Sequence, residues 1–592
     1  MCRFIDEMEK LKSSSSSSVA NEKFTVFNEY MHIFSKMDSW LIEVVQEASN
    51  YNKSLVFVCG NSGDGKSHLI ANLINTKTIE RDKFEVYIDA TSSDKKGMKA
   101  NVKLREVMDA FTDANISDGS EHRLIIAINL GVLNDFMKNY ENEFTILEKY
   151  INDQGLFDNI PAWKYVDMQN QEKGWKDYFL GHIDFTSFHR YGLNGNGLDL
   201  SFIRGLLKKI VANDAKNSMY QAFQEECEIC RKRANCPVYW NYRSLVDDST
   251  IGEYLTGLLA KAMIKNNLSP SVRDINNFFY EVIVGNTFNS SVIDEMSVER
   301  QTHFMHNLSL WLLFESTDGL LAYTAKEDPL NDSMRSCDQQ IIALNLKRDL
   351  KKWLLEEAVS VDSVFRQVYS NIVFCENNRF VTVYRDNEKK MKRDIYKYFI
   401  RCSQMKYSLE DKSFNRFLNF LYEYNKGNEK ACAEIINLTK ECVYLWNGRL
   451  GDKSGGIIKN GVIIGKGTDR YFLYKKMEIQ FSRNPEIKLL DDGIEFPNFT
   501  TIMRFGFVLQ EQKKKVIYLD LDYELYAFLL EVKKGYTPTN SDRKANVKYD
   551  SFVRNLIAIS KSDFYVYSKF GNGETYKISL DEFDGYLFER EG

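Results

Sequence analysis

The residues best suited to do chemistry stand in one short run: Gly60, Asn61, Ser62, Gly63, Asp64, Gly65, Lys66, Ser67 and His68. Their spacing is G-x4-G-K-S. Glycines lack a Cβ, so successive backbone N–H groups can turn inward around phosphate oxygens. A helix starting near Lys66 adds the positive end of its dipole. Lys66 would then reach the β- and γ-phosphates, and the Ser67 hydroxyl would stand on Mg2+. The chemistry implied is binding of ATP with Mg2+, followed by hydrolysis if a carboxylate is supplied. The flanks fit that reading. Leu55 to Cys59 form an apolar run with strand character, and Leu69, Ile70, Leu73 and Ile74 share one helical face.

Hydrolysis needs an acidic or polar group at a neighbouring strand end to hold Mg2+ or orient water. Two apolar runs compete to supply it: Phe84 to Asp89 and Leu124 to Leu130. In one reading Asp89 joins Ser67 at the magnesium and Asn129 senses the γ-phosphate. In the other, 84–89 is an ordinary second strand, Asn129 stands where a carboxylate would, and turnover is weakened. The plainer alternative for Asp89 is a turn cap. Strands alternating with helices predict an α/β domain with a parallel sheet, whose ligands bind at the carboxyl ends of the strands. Pro270-Ser271-Val272-Arg273 opens a helix after a turn. Arg273, one turn in, resembles the second sensor of AAA+ ATPases; a surface ion pair is the alternative. Arg204, Arg385 and Arg401 are equivalent candidates for an arginine finger.

Cys227, Cys230 and Cys236 make a C-x2-C-x5-C run that could hold a structural zinc ion. An iron–sulfur cluster and three plain thiols are the alternatives. No fourth ligand stands at motif spacing; the next cysteine is Cys337, and His182 and His189 lie upstream. His303 and His306, three apart on a helix, read as structural. The basic runs Lys389 to Arg393 and Lys513 to Lys515 read as solvated surface, the second at a hairpin tip. No nuclease motif stands out.

The chain has 592 residues, a net charge of −5 and ten cysteines. That charge argues against a whole-chain electrostatic attraction to DNA, and the cysteines are too sparse for a disulfide framework. No apolar run reaches transmembrane length, and Met1 to Glu7 lack a signal-peptide core, so a cytoplasmic location without membrane contact is expected. Four regions follow from the pattern. Residues 1–50 are an N-terminal helical segment with a serine-rich linker (Ser13 to Ser18) and helical periodicity through 22–50. Residues 51–250 are the nucleotide core with the cysteine run as an insertion, including helices over 133–150 and 200–225. Residues 251–445 are a helical lid and helical domain. Residues 446–592 are a glycine-punctuated α+β domain with a helix from Tyr523 to Val532 and a hairpin at Gly571-Asn572-Gly573.

Taken in order, these features resemble one family, the F component of the DNA phosphorothioation-dependent restriction system (DptF or DndF). The resemblance rests on Cys59 to Leu69, on Asp89 to Ser92 with Ile125 to Gly131, on Cys227 to Tyr239, on Val272 to Phe278, and on Leu580 to Phe588. It implies an α/β P-loop NTPase core of AAA+/ASCE type with a long helical region and a C-terminal α+β domain. It also implies a defence ATPase acting on unmodified DNA together with G and H components, touching DNA through that complex; a homo-oligomer is compatible with the sequence, which does not fix the oligomeric state. The alternative is a nucleotide-gated scaffold or AAA+-like remodeller with little turnover.

Overall fold

The computed structural model describes residues 2–13, 24–88, 100–157, 178–186, 189–294, 298–331, 342, 393–394, 397–398, 400–401, 411–451, 458–468, 470–482, 499–568, 574–580 and 585–591. Asp89, Arg385, Cys337, Lys389, Lys390, Met391, Lys392, Gly571, Asn572 and Gly573 lie outside these residues, as does the serine tract beyond Ser13.

The chain forms two compact units. The first comprises Met1–Gly192, Asp199–Met263 and Ser269–Leu409, and the second Leu193–Leu198, Ile264–Leu268 and Glu410–Gly592. The expected boundary near 446 therefore moves to 410. The helices Lys412–Asn425 and Ala433–Leu445, which the pattern assigns to the helical region, belong to the second unit. Their apolar residues are buried on the second unit's own elements. Tyr424 stacks edge-on against Phe505, and the Cys442 thiol donates to the Leu529 carbonyl.

The first unit is built on a four-stranded sheet: β1 (Lys53–Cys59), β2 (Glu85–Tyr87), β3 (His122–Ile128) and β4 (Tyr178–Asp184). The order is β2-β3-β1-β4, and every pair is parallel. All seven β1 residues are buried, as the continuous apolar run of a strand covered on both faces requires. Alternation along the strands divides the core. Leu55, Phe57, Leu124 and Ile126 face α5 (Ala100–Val107), α6 (Leu130–Tyr140) and α7 (Thr145–Asp153). Val56, Val58, Ile125 and Ala127 face α3 (Lys36–Ala48) and α4 (Lys66–Asn75). The result is a helix–sheet–helix sandwich with β1 at its centre.

Local chemistry sets the breaks that periodicity alone misses. The helical periodicity of residues 22–50 divides into α2 (Val26–Met31) and α3. Ser35 and Asp38 form a capping box that starts a new helix, and Phe34, just before it, is 65% exposed although its spacing from Tyr30 is helical. The expected helix over 133–150 splits because Asp113 accepts hydrogen bonds from the backbone N–H groups of Thr145 (2.8 Å) and Ile146 (3.0 Å). In 200–225, α8 (Ser201–Val211) ends and Asn217 caps the short α9 (Ser218–Ala222). Beyond it lie α10 (Pro237–Asp247), α11 (Ser249–Lys265) and α12 (Val272–Ile283).

The second unit carries a five-stranded antiparallel sheet and a three-stranded one. Its helix Tyr523–Lys534 ends on Gly535 in a left-handed conformation. Phe564–Ser568 and Thr575–Leu580, the strands before and after Gly571-Asn572-Gly573 in the sequence, pair antiparallel. Lys513 to Lys515 open the strand Gln512–Leu521 just past a tight turn from Met503–Leu509. Among the described residues no helix is long and apolar enough to cross a membrane.

Candidate functional site

The glycine loop joins β1 to α4 at the carboxyl edge of the sheet. Gly63 and Gly65 hold φ of +89° and +96°, a region that costs any other L-residue roughly 1–2 kcal/mol. A Cβ on Gly63 would stand 2.8 Å from Ser271 Oγ and 3.1 Å from Arg273 Cβ, so the start of α12 lies directly on the loop. The loop is held from within. Lys66 Nζ donates to the carbonyls of Gly60 (2.8 Å) and Asn61 (2.7 Å), and Asn61 N–H donates to the Asp64 carboxylate (2.5 Å). Arg190, buried under the loop, donates to the Asp64 carbonyl (2.7 Å). Burial lowers Arg190 to about 10. Burial raises Asp64 above the usual carboxylate range, against the pull of Arg190 and Lys66.

Parallel pairing decides which strand ends face the loop. Cys59 is level with Ile128 on one side and with Asp184 on the other. Asn129, one step past Ile128, caps α6 by accepting from Gly131 N–H (2.7 Å) and donates to Asn61 Oδ1 (3.2 Å). It therefore touches the loop. The strand leading to Asp89 lies one place further out, beyond β3.

Asp184 is a carboxylate the sequence reading missed. It ends β4 beside the loop, 6% exposed, and accepts from Thr186 N–H (2.9 Å) and Oγ1 (2.6 Å). Burial raises its pKa, and the Thr186 hydrogen bonds only partly oppose this. Its signal was the short stretch Tyr178 to Ile183 ending in Asp, weakened as an apolar run by Gly181 and His182. Arg190 carried no motif at all.

Arg273 is brought to the loop by α12. Ser271 and Asp274 form a reciprocal capping box that fixes the helix start. From there the Arg273 guanidinium lies 3.4 Å from Ser62 Oγ. Its Nε is buried without a hydrogen-bond partner among the described residues. The other arginines do not share this position. Arg401 is 1% exposed and tied to Asp328 and Glu315, and Arg204 pairs with Glu253 (2.5 Å) on the surface.

A cavity of about 820 Å³, part of it open to solvent, adjoins the loop. Phe27, Met31, Phe185, Phe202 and Val272 supply apolar walls, and His68, Arg190 and Arg273 supply polar groups. The size suits a small ligand. His68 stacks on His32, with Nε2 3.1 Å from His32 Nδ1, and His32 Nε2 lies 2.9 Å from Asp38 Oδ1. Loss of water lowers His68 to about 4, with the neighbouring His32 acting in the same direction. The donors would suit a magnesium–triphosphate: Lys66, Arg273 and the N-terminal end of α4 meet at one glycine loop, and Ser67 is the second residue of α4.

The remaining candidates separate from this site. His182 is buried in the sheet, 2.8 Å from the Tyr150 hydroxyl, and His189 stacks against Tyr191. His306 stacks on Trp311, and His303 on Phe288. Arg393 is exposed, 3.8 Å from Asp394. Cys227 is buried, Cys236 half-buried and Cys230 exposed. Among the described residues no three His, Cys, Asp or Glu side chains stand at metal-holding separations. Compared with family models, with curated proteins and with solved structures, the chain matches none.

Proposed function

We propose that this protein binds ATP with Mg2+ at Gly60 to Ser67 and hydrolyses it. The observation that carries the reading is the convergence on one glycine loop of groups from three other elements. These are Asn129 on Asn61, Arg273 on Ser62, and Asp184 level with Cys59. When bound, the magnesium would neutralise phosphate charge and polarise the γ-phosphoryl group. Lys66 would leave the Gly60 and Asn61 carbonyls for the β- and γ-oxygens. Ser67 would hold the metal. Arg273, with an unspent buried N–H, would meet charge developing at the γ-phosphate. Asn129 would orient water or sense the γ-phosphate. The apolar cavity beside His68 would take the base.

The role for that activity is proposed from the family resemblance: the ATPase subunit of a DNA phosphorothioation-dependent restriction complex acting on unmodified DNA with G- and H-type partners. A second reading, a nucleotide-gated scaffold with slow turnover, is favoured by one observation. The strand end that touches the loop beside β1 carries an amide, Asn129, and the buried carboxylate across from it, Asp184, has a raised pKa.

Phosphate release by the purified chain, with and without DNA, decides between them. Turnover lost by about 100-fold or more in Lys66→Ala, and lowered in Asp184→Asn or Asp89→Ala, supports the ATPase and names its carboxylate. Tight ATP binding without turnover in any condition leaves the scaffold. No binding ends both.

A further inference from the structure

The cysteine run has a neighbour that its spacing does not announce. Three successive tight turns wind the run: Cys230 N–H donates to the Cys227 carbonyl, Arg233 N–H to Cys230, and Cys236 N–H to Arg233, each at 3.2 Å. All three sulfurs are thereby confined to one short stretch between α9 and α10. The helix α1 (Arg3–Ser13) docks on this same stretch. Arg3 N–H donates to the Glu226 carboxylate (3.2 Å), and its guanidinium pairs with Glu225 (2.5 Å). The Phe4 ring packs 5.5 Å from Phe223 and 4.8 Å from Tyr242. Arg3 adjoins Cys2 and Glu226 adjoins Cys227, so the docking carries one thiol to the other, and the two share a hydrogen bond. Cys230 and Cys236 lie within electrostatic reach of this pair, and none of the four is in a disulfide.

We infer that Cys2, Cys227, Cys230 and Cys236 form a four-thiolate site for a thiophilic metal ion, zinc, with Cys2 as the ligand that the triplet lacks. Four sulfurs at about 2.3 Å around a tetrahedral ion make a closed structural site. The sulfurs are grouped more loosely than that, so metal binding requires the cysteine side chains to rotate inward. Binding releases the thiol protons to solvent. Four thiolates on a divalent ion carry a net charge of about −2, and Arg231, Lys232 and Arg233 sit between the second and third ligands of the run. A disulfide between Cys2 and Cys227 would leave Cys230 and Cys236 without a role. The ion would staple α1 to the segment that leads into α10. The inference does not depend on nucleotide binding.

The test is elemental analysis of the full chain purified without chelator, followed by replacement of the metal with cobalt. About one zinc per chain is expected, and the cobalt form should show thiolate charge-transfer and tetrahedral ligand-field bands. Cys2→Ser and the exposed Cys230→Ser should each lower zinc content several-fold and alter the cobalt spectrum while circular dichroism stays that of the parent. Full zinc in Cys2→Ser would remove Cys2 from the site. A chain without zinc and silent with cobalt, iron with acid-labile sulfide, or a Cys2–Cys227 disulfide in the unreduced protein would each overturn the assignment.

Discussion

At the scale of single residues, the loop's environment separates groups of the same type. Asp64 and Asp184 are both buried and both raised, yet Asp64 holds the loop backbone whereas Asp184 accepts from Thr186. A carboxyl whose folded pKa is raised stabilises the fold below its unfolded value and loses that contribution as pH rises through the folded one. Asp184→Asn should therefore leave stability at neutral pH unchanged or higher in denaturant titration while turnover falls. Lower stability with unchanged turnover would make Asp184 structural. His68 runs the other way. Its folded pKa of about 4 lies below the free value of 6.5, so the stability it contributes is present above 6.5 and lost as pH falls toward 4. The loss is on the order of 3 kcal/mol at most, and His68→Asn should flatten the melting temperature over that window. Gly63→Ala forces a Cβ to within 2.8 Å of Ser271 Oγ at φ +89°. A fall of roughly 1–2 kcal/mol together with weaker ATP binding is expected. Normal binding would show that α12 need not touch the loop.

At the scale of elements, the decisive arrangement is β1 between β3 and β4, with α12 laid across the loop they share. The capping box of Ser271 and Asp274 controls where α12 starts and hence where Arg273 points. Ser271→Ala should cost about 1 kcal/mol, and it should lower turnover more than ATP affinity if Arg273 acts mainly on transition-state charge. An equal loss of both would assign Arg273 to ground-state binding. Much of this level was readable in the chain. The strand–loop–helix of residues 53–75 depends on neighbours in sequence, as does the helix start at Val272. The divisions at Ser35 and Thr145 were not equally readable. The first is a local cap overridden by an apolar stripe that reads straight through it. The second is made by Asp113, a residue from another part of the chain.

At the scale of the whole molecule, any ligand that binds only the folded first unit must stabilise it. MgATP at a hundred times its dissociation constant should add about 2.7 kcal/mol, seen as a rise in melting temperature that Lys66→Ala abolishes. No rise in the parent chain would argue against the nucleotide site. Division into units illustrates how far composition reaches. The glycine-rich change near 446 was visible, but the helices from Lys412 to Leu445 carry no mark of which sheet they will cover; burial of Tyr424 and Cys442 decides that. The sequence by itself determined the glycine loop, the apolar strand and helix on either side of it and the spacing of the cysteine run. Each is written in contiguous residues whose backbone and side-chain preferences act locally. Only the tertiary structure decided that Asn129 and Asp184 flank the loop, that Arg190 lies beneath it, and that Cys2 meets Cys227. Strand order and helix docking join residues far apart in the chain, and the free energy that selects them is burial of surface whose partners no local pattern names.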